Sequence, residues 1–214
     1  MEEKILAVPY VELVSITPNA ESLIYRCASI SRGRKNEPTE EEKARLIQKL
    51  IKMGHESVLE HAVATFFIRT TRDVSHQLVR HRLASFTQVS QRYVDQVELG
   101  YCFYLEPNNV FAEYASKVSN DITVALHEVM KCYRKLSRSG LPRDFVRLIL
   151  PNAAVTELYM TANMREWRHI LKLRLTAEAH PAVRRIAEMI LEILRYECPN
   201  IFNDIKKEDL LCNN

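Results

Sequence analysis

The chain holds four glycines, Gly33, Gly54, Gly100 and Gly140, and no two of them stand close together. A strand-to-helix turn that wraps a nucleotide phosphate needs glycines at short fixed intervals, because there the backbone itself must approach the phosphate. Neither a Gly-x-Gly-x-x-Gly turn nor a Walker loop can be written on this sequence, which excludes the folds built on them. Any dinucleotide must be held in another way.

With 214 residues, 47% of them apolar, the chain can bury one sizeable core, and residues 1–214 read as a single domain. Thirty basic side chains against 27 acidic ones leave a net charge of +3, so local clustering of arginines matters more than the total. The five cysteines (Cys27, Cys102, Cys132, Cys198, Cys212) are odd in number and lack Cys-x-x-Cys spacing, which fits reduced thiols and not a disulfide scaffold. The start, Met1-Glu2-Glu3-Lys4, has no signal-peptide pattern, and no apolar run approaches membrane-spanning length. The expectation is a soluble, cytoplasmic protein.

Periodicity predicts the elements. Val11 to Ile16 reads as a strand, with Pro18 as the first residue of a helix through Leu23, Ile24 and Cys27. The polar run from Ser31 to Asn36 reads as a mobile loop. Thr39-x-x-Glu42 forms a capping box for a helix closed by Gly54, while Ser57-x-x-Glu60 is either a second capping box or part of a site. A strand from Ala62 to Thr71 leads to a short helix capped by Asp73, with Val74 and Leu78 inward and Gln77, Arg80 and His81 sharing one face. Ser85 to Tyr93 has no helical period and reads as extended or looped. Phe111, Tyr114, Val118, Ile122, Leu126, Val129, Tyr133 and Leu136 form the stripe of a long amphipathic helix ending at Gly140. Leu141-Pro142-Arg143 restarts a short helix containing Arg147 and stopped by Pro151. A strand from Val155 to Thr161, a helix capped by Asn163 and running through Leu173, and a helix from Pro181 to Tyr196 complete the chain. The class is α+β, helices packed around a small antiparallel sheet.

The chemistry concentrates between Arg80 and Tyr93, where Arg80, His81, Arg82, Ser85, Thr87, Gln88, Ser90, Gln91 and Arg92 stand beside Phe86 and Tyr93. Arginine forks bind phosphate bidentately and stack on flat rings, so this composition suits an anionic, planar ligand. A basic, solvated helix end is the plainer reading, but the Ser-x-x-x-x-Ser-x-Arg-Tyr spacing is too patterned for it. Zinc is disfavoured, because His55 and His61 lie six apart and not the three or four that place two imidazoles on one helix face. No Gly-x-Ser-x-Gly elbow surrounds Ser90, which suits phosphate or base binding better than nucleophilic attack. Farther along, Trp167, Leu171 and Arg174 continue a helical stripe that ends in a permanent charge. Its partner is Glu178, or else it is simply exposed in the last helical turn, where a cation is favourable.

Arg-His-Arg followed by x-x-Ser and x-x-x-x-Ser, complete from Arg80 to Ser90, closely resembles the signature of flavin-dependent thymidylate synthases. His55-x-Ser57-x-x-Glu60-His61 and Asn163-x-Arg165-x-x-x-His169-x-x-x-x-Arg174 extend the resemblance, which reaches from about residue 10 to Cys198-Pro199-Asn200. It implies reductive methylation of deoxyuridylate (dUMP) to thymidylate (dTMP), with methylenetetrahydrofolate as carbon donor and FAD, reduced by NADPH, as hydride donor. It implies FAD binding by Ser57, Arg80, His81, Arg82, Leu83, Gln88, Asn163, Arg165 and His169. The nucleotide is expected at Gln77, Arg80, Gln88, Ser90, Arg92, Arg147 and Arg174, with His55 near where the folate stacks on the flavin. Arg174 is the expected catalytic residue, favouring ionisation of the pyrimidine N3. A homotetramer with active sites shared between subunits is implied, with neither nucleic acid nor membrane as partner.

None of the five cysteines lies inside the three matching blocks, so no cysteine nucleophile is expected. The sequence departs from the family where Pro181 and Ala182 precede Val183-Arg184, a place at which many members carry an acidic residue. Thr87 and Gln88 stand where other members carry Asn and Glu. The competing readings are a related flavoprotein that modifies another uracil nucleotide, and an RNA-binding module using Arg80, Arg82 and Arg92 with Phe86 and Tyr93 as stacking groups.

Overall fold

A computed structural model of the chain describes residues 9–30, 33, 37–99 and 111–206, with the side chains of 111–119 and 123 excepted. Met1 to Lys4, most of the run from Ser31 to Asn36, Gly100, Cys102, Cys212 and the side chains of Phe111, Tyr114 and Val118 lie outside the described residues. The fold is α+β. Strands β1 (Tyr10–Ile16), β2 (Val63–Thr71), β3 (Ser85–Gln88) and β4 (Val155–Asn163) form a sheet in the order β1-β2-β4-β3. On the middle pair, Thr65 meets Thr161 at 2.8 Å between hydroxyls, the Phe67 and Tyr159 rings stand 5.5 Å apart, and Arg69 Nε donates to Glu157 at 2.7 Å. Each advance of two residues on β2 is thus matched by a retreat of two on β4, the register of an antiparallel pair. Ala64, Phe66, Ile68 and Thr70, with Leu158, Met160 and Ala162, point to the buried face.

By its contacts the chain divides into two compact units, one of residues 1–10, 68–80 and 87–158 and the other of 11–67, 81–86 and 159–214, with β2 and β4 running from one into the other. In the first unit the long helix α5 (Phe111–Ser137) turns Leu126, Met130 and Tyr133 onto Val146, with Ile122 and Leu136 packed alongside. The Tyr133 hydroxyl accepts from the Gln96 backbone N–H, and the Gln96 side chain donates to the Val155 carbonyl. These bonds tie in the short helix α4 (Gln96–Leu99), which the sequence pattern did not reveal. Gly140, at φ +79, ends the long helix run as expected.

The second unit is built from α1 (Ala20–Ile30), α2 (Glu40–Lys52), a 3-10 turn (Glu56–His61), α7 (Met164–Arg174), α8 (Pro181–Glu197) and α9 (Pro199–Phe202). Its core gathers Ile24, Ile47, Leu59, Phe66, Trp167, Val183, Ile186, Ile190 and Leu194, all buried. Trp167 stands edge-on to Phe66 at 5.0 Å, and its indole N–H donates to the Ala64 carbonyl. The Thr39–Glu42 capping box forms with both bonds present. Gly54, at φ +72, closes α2 with the His55 N–H on the Leu50 carbonyl and its own N–H on that of Ile51, a Schellman closure. Asn163 caps α7 through the Glu166 N–H. Pro181 is the first residue of α8, and the His180 side chain accepts from the Ala182 N–H, so the departure at these positions leaves a well-capped helix start.

Three expectations are corrected and one open reading is decided. Pro18 is not the first helical residue: pairing with β2 continues through Thr17, Pro18 and Asn19 form a turn with Asn19 at φ +51, and α1 begins at Ala20. Asp73 is not a cap, since α3 (Arg72–Leu78) follows Thr71 without a side-chain cap. Its first N–H groups, of Arg72 and Asp73, donate instead to the carbonyls of Ala154 and Asn152. Because α3 stops at Leu78, Arg80 and His81 do not share a helix face with Gln77. Ser57-x-x-Glu60 makes no capping box: the turn begins at His55 without a side-chain cap, and Glu60 pairs with Arg165. Arg147 closes the four-residue helix α6 (Arg143–Val146) and opens a 3-10 turn to Ile149.

Candidate active site

The signature is laid out by two turns around β3. The Ala84 N–H donates to the His81 carbonyl at 3.0 Å, a reverse turn with Arg82 and Leu83 at its corner. Both are exposed, Leu83 at 79%, which makes it an apolar side chain without cover. A second turn follows β3, where the Ser90 carbonyl receives the Tyr93 and Val94 N–H groups and the Ser90 hydroxyl accepts from the Arg92 N–H at 3.3 Å. His81 and Arg82 belong to the second unit, Gln88 to Arg92 to the first.

In the first unit the expected nucleotide residues Gln77, Arg80, Gln88, Ser90, Arg92 and Arg147 are all found. The Gln88 amide nitrogen donates to Ser75 and Thr156, each at 2.9 Å, while Ser75 donates onward to the Arg72 carbonyl. Both amide hydrogens are therefore engaged within the protein, leaving Gln88 an acceptor toward any ligand. Arg92 Nε and Arg147 Nη2 both lie on Asp144 Oδ1, at 3.0 and 3.2 Å. Arg72, whose pKa is lowered by burial and then by the field of Arg147, adds a third guanidinium to this region. Arg92 and Arg147 on Asp144, with Arg72 in the field of Arg147, make a composition that fits a phosphate dianion. The sequence does not single out Asp144 or Arg72 as site residues. Arg80 is exposed two residues beyond the end of α3.

In the second unit stand Ser57, His81, Arg82, Leu83, Asn163, Arg165, His169, Arg174 and His55. His55 and Ser57 are exposed at the start of the 3-10 turn, where the Schellman closure of α2 fixes the backbone. Helix α7 carries Arg165 and His169 one turn apart, both exposed, with Arg165 Nη1 on Glu60. The Asn163 side-chain oxygen accepts from the Glu166 N–H at 2.9 Å.

The buried part of this arrangement surrounds His81. Arg174 Nε donates to His81 Nε2 at 3.0 Å, Glu166 Oε1 lies 3.8 Å from His81 Nδ1, and the His169 ring stands edge-on at 6.4 Å. Burial, then the charge of Arg174, then that of His169 lower the His81 pKa to about 4. The imidazole is therefore neutral at pH 7, and its approach to Glu166 is a polar contact and not an ion pair. Burial raises the Glu166 pKa, with His169 opposing. Arg174, half-buried, thus finds a neutral acceptor 93 residues away in sequence.

Beneath the site, Arg168 is fully buried and joins three segments. It makes a fork to Asp204 at 2.6 and 2.7 Å, a bond to Glu56 at 3.3 Å and one to the Ile201 carbonyl. Glu56 neighbours Ser57, so this cation ties the turn bearing His55 and Ser57 to α7.

The family described as thymidylate synthase complementing protein matches residues 12–200. A flavin-dependent thymidylate synthase of Thermotoga neapolitana is 33% identical over 202 residues, covering 93% of this chain and 91% of the relative. One from Saccharolobus solfataricus is 36% identical over 200 residues, covering 90% and 75%. Among solved structures, a UMP/dUMP methylase from Streptomyces cacaoi bound with 5-Br dUMP superposes with a TM-score of 0.79 at 26% identity, over 92% of this chain and 94% of that one. A match that runs through all three sequence blocks and most of both chains settles the family: the chain belongs to the thymidylate synthase complementing protein family, that of the flavin-dependent thymidylate synthases.

Proposed function

We propose that this enzyme methylates deoxyuridylate to thymidylate, taking the carbon from methylenetetrahydrofolate and using FAD reduced by NADPH, as one catalytic domain in the cytoplasm. The observation that carries the reading is the match of nearly the whole chain to relatives named for this reaction. The donor set fits such ligands. The exposed groups of Ser57, Arg82, Arg165 and His169, beside the uncovered Leu83, suit an anionic, flat cofactor held without a glycine-rich turn. Bound FAD supplies the hydride chemistry.

The chain's own residues then bind, orient and polarise. Arg92 and Arg147, aligned on Asp144, receive the nucleotide phosphate, and Gln88 offers an acceptor to the base. Arg174 is the catalytic residue, a fixed guanidinium set to stabilise negative charge developing on the pyrimidine. No cysteine attacks the ring. Cys198 is buried with its thiol pushed up to about 12 by burial and then by Glu21 and Glu197, which leaves it without a usable thiolate. The functional unit is a homotetramer in which one site draws residues from more than one chain.

The absorption spectrum of the purified protein tests this reading. Flavin bands that shift when deoxyuridylate is added are expected. A colourless protein that cannot be loaded with FAD, or one that binds single-stranded RNA through Arg80, Arg82 and Arg92, returns the chain to the binding-module reading.

A further inference from the structure

The buried imidazole of the signature has both ring nitrogens turned to protein groups. Arg174 donates its Nε–H to His81 Nε2 at 3.0 Å, and Glu166 Oε1 stands 3.8 Å from Nδ1. A nitrogen that accepts a hydrogen bond carries no proton, so the ring proton lies on Nδ1, on the side of Glu166. The backbone beneath Glu166 is fixed, because its N–H is the one that Asn163 caps. The bond to Arg174 engages Nε, the nitrogen next to the stem, and not the terminal fork. It therefore sets the plane of the guanidinium.

We propose that His81 is a positioning residue for Arg174, with Nε2 as the acceptor and the ring proton on the side of Glu166, so that the guanidinium plane is fixed before a pyrimidine arrives. This rests on the reading that Arg174 acts on the nucleotide. Among the described residues the groups facing the imidazole are Arg174, Glu166 and His169, and burial, followed by the charge of Arg174, keeps the ring unprotonated at neutral pH, where it acts as an acceptor. A flavin contact at position 81 then falls to the backbone and not to the ring.

Two polar replacements separate the ring nitrogens. Glutamine ends where Nε2 stands and can still accept from Arg174; asparagine ends where Nδ1 stands and cannot reach it. His81→Gln is expected to stay within about threefold of the wild type in kcat/KM, and His81→Asn to fall about tenfold to a hundredfold, the range of one lost charge-assisted bond. Both are expected to hold flavin at the wild-type level. In an Arg174→Ala background, His81→Asn should add less than about a twofold loss, because residues acting through one another are not additive. Glu166→Gln, which keeps an oxygen on the Nδ1 side of the ring, should resemble His81→Gln.

Equal losses in the glutamine and asparagine variants, additive losses in the double variant, or loss of flavin from His81→Asn overturns the inference. If His81→Asn does not fold, His81→Met, which lacks a comparable acceptor, takes its place. Deoxyuridylate affinity is measured by calorimetry in every variant alongside turnover. A wild-type protein that binds the nucleotide without methylating it defeats the proposed function, and the affinity cycle still decides the role of His81.

Discussion

Arg168→Met removes the cation that ties α7 to the turn bearing Ser57 and to the residues after α9. Breaking a buried ion pair by deleting one partner costs about 3 to 5 kcal/mol, chiefly because the other charge is left buried. Here the Asp204 side chain is 49% exposed and that of Glu56 20%, so water recovers part of their solvation, and methionine fills much of the vacated volume. The loss should therefore be about 2 to 3 kcal/mol, a large part of a domain stability of roughly 5 to 15 kcal/mol. In a chain of this size it lowers the melting temperature by about 5 to 10 °C. Urea unfolding followed by circular dichroism measures it, with the midpoint falling and the slope unchanged. Asp204→Asn, which leaves Arg168 its bond to Glu56, should cost less. A midpoint that moves by less than the equivalent of about 0.5 kcal/mol refutes the reasoning, because a guanidinium with this burial and these partners cannot be removed at the cost of a surface residue.

Other expectations are as direct. Arg174→Ala should retain flavin and lose about tenfold to more than a hundredfold in thymidylate formation, while Ser90→Ala weakens deoxyuridylate binding yet turns over, which a serine nucleophile would not allow. Replacing all five cysteines should leave measurable turnover in a folded protein; loss traced to one cysteine with flavin still bound defeats that expectation. Because His81 is neutral in the fold, the unfolded chain binds one more proton between about pH 6.5 and pH 4, so stability falls as pH drops through that window. His81→Gln should flatten that part of the stability curve, and parallel wild-type and variant curves contradict the burial argument. Mixed subunits of Arg80→Ala and Arg174→Ala should regain activity if one site draws these residues from different chains; an active, flavin-loaded monomer in sedimentation excludes shared sites.

What the sequence made legible is what short-range hydrogen bonds decide. Thr39 with Glu42, and Asn163 before α7, are helix caps whose partners lie three residues away, and both form as read. The misreadings share a different cause, a partner too distant for spacing to reveal. Asp73 was expected to cap α3, but backbone carbonyls from the start of β4 take that part. Ser57-x-x-Glu60 leaves a capping box and a site part equally open by spacing, and Arg165, 105 residues on, claims Glu60. Helical spacing placed Gln77, Arg80 and His81 on one face, but the chain leaves the helix at Val79 and sends His81 inward to Arg174. Asp144, the carboxylate that aligns Arg92 with Arg147, carried no motif at all.

The most direct test of the whole account is the product formed when the FAD-loaded protein is given deoxyuridylate, methylenetetrahydrofolate and NADPH under exclusion of air. Chromatography should show thymidylate that depends on all three reagents, with the rate falling about tenfold or more in Arg174→Ala. Deoxyuridylate recovered unchanged from a folded, flavin-loaded wild type, or thymidylate formed equally well without the Arg174 guanidinium, contradicts it.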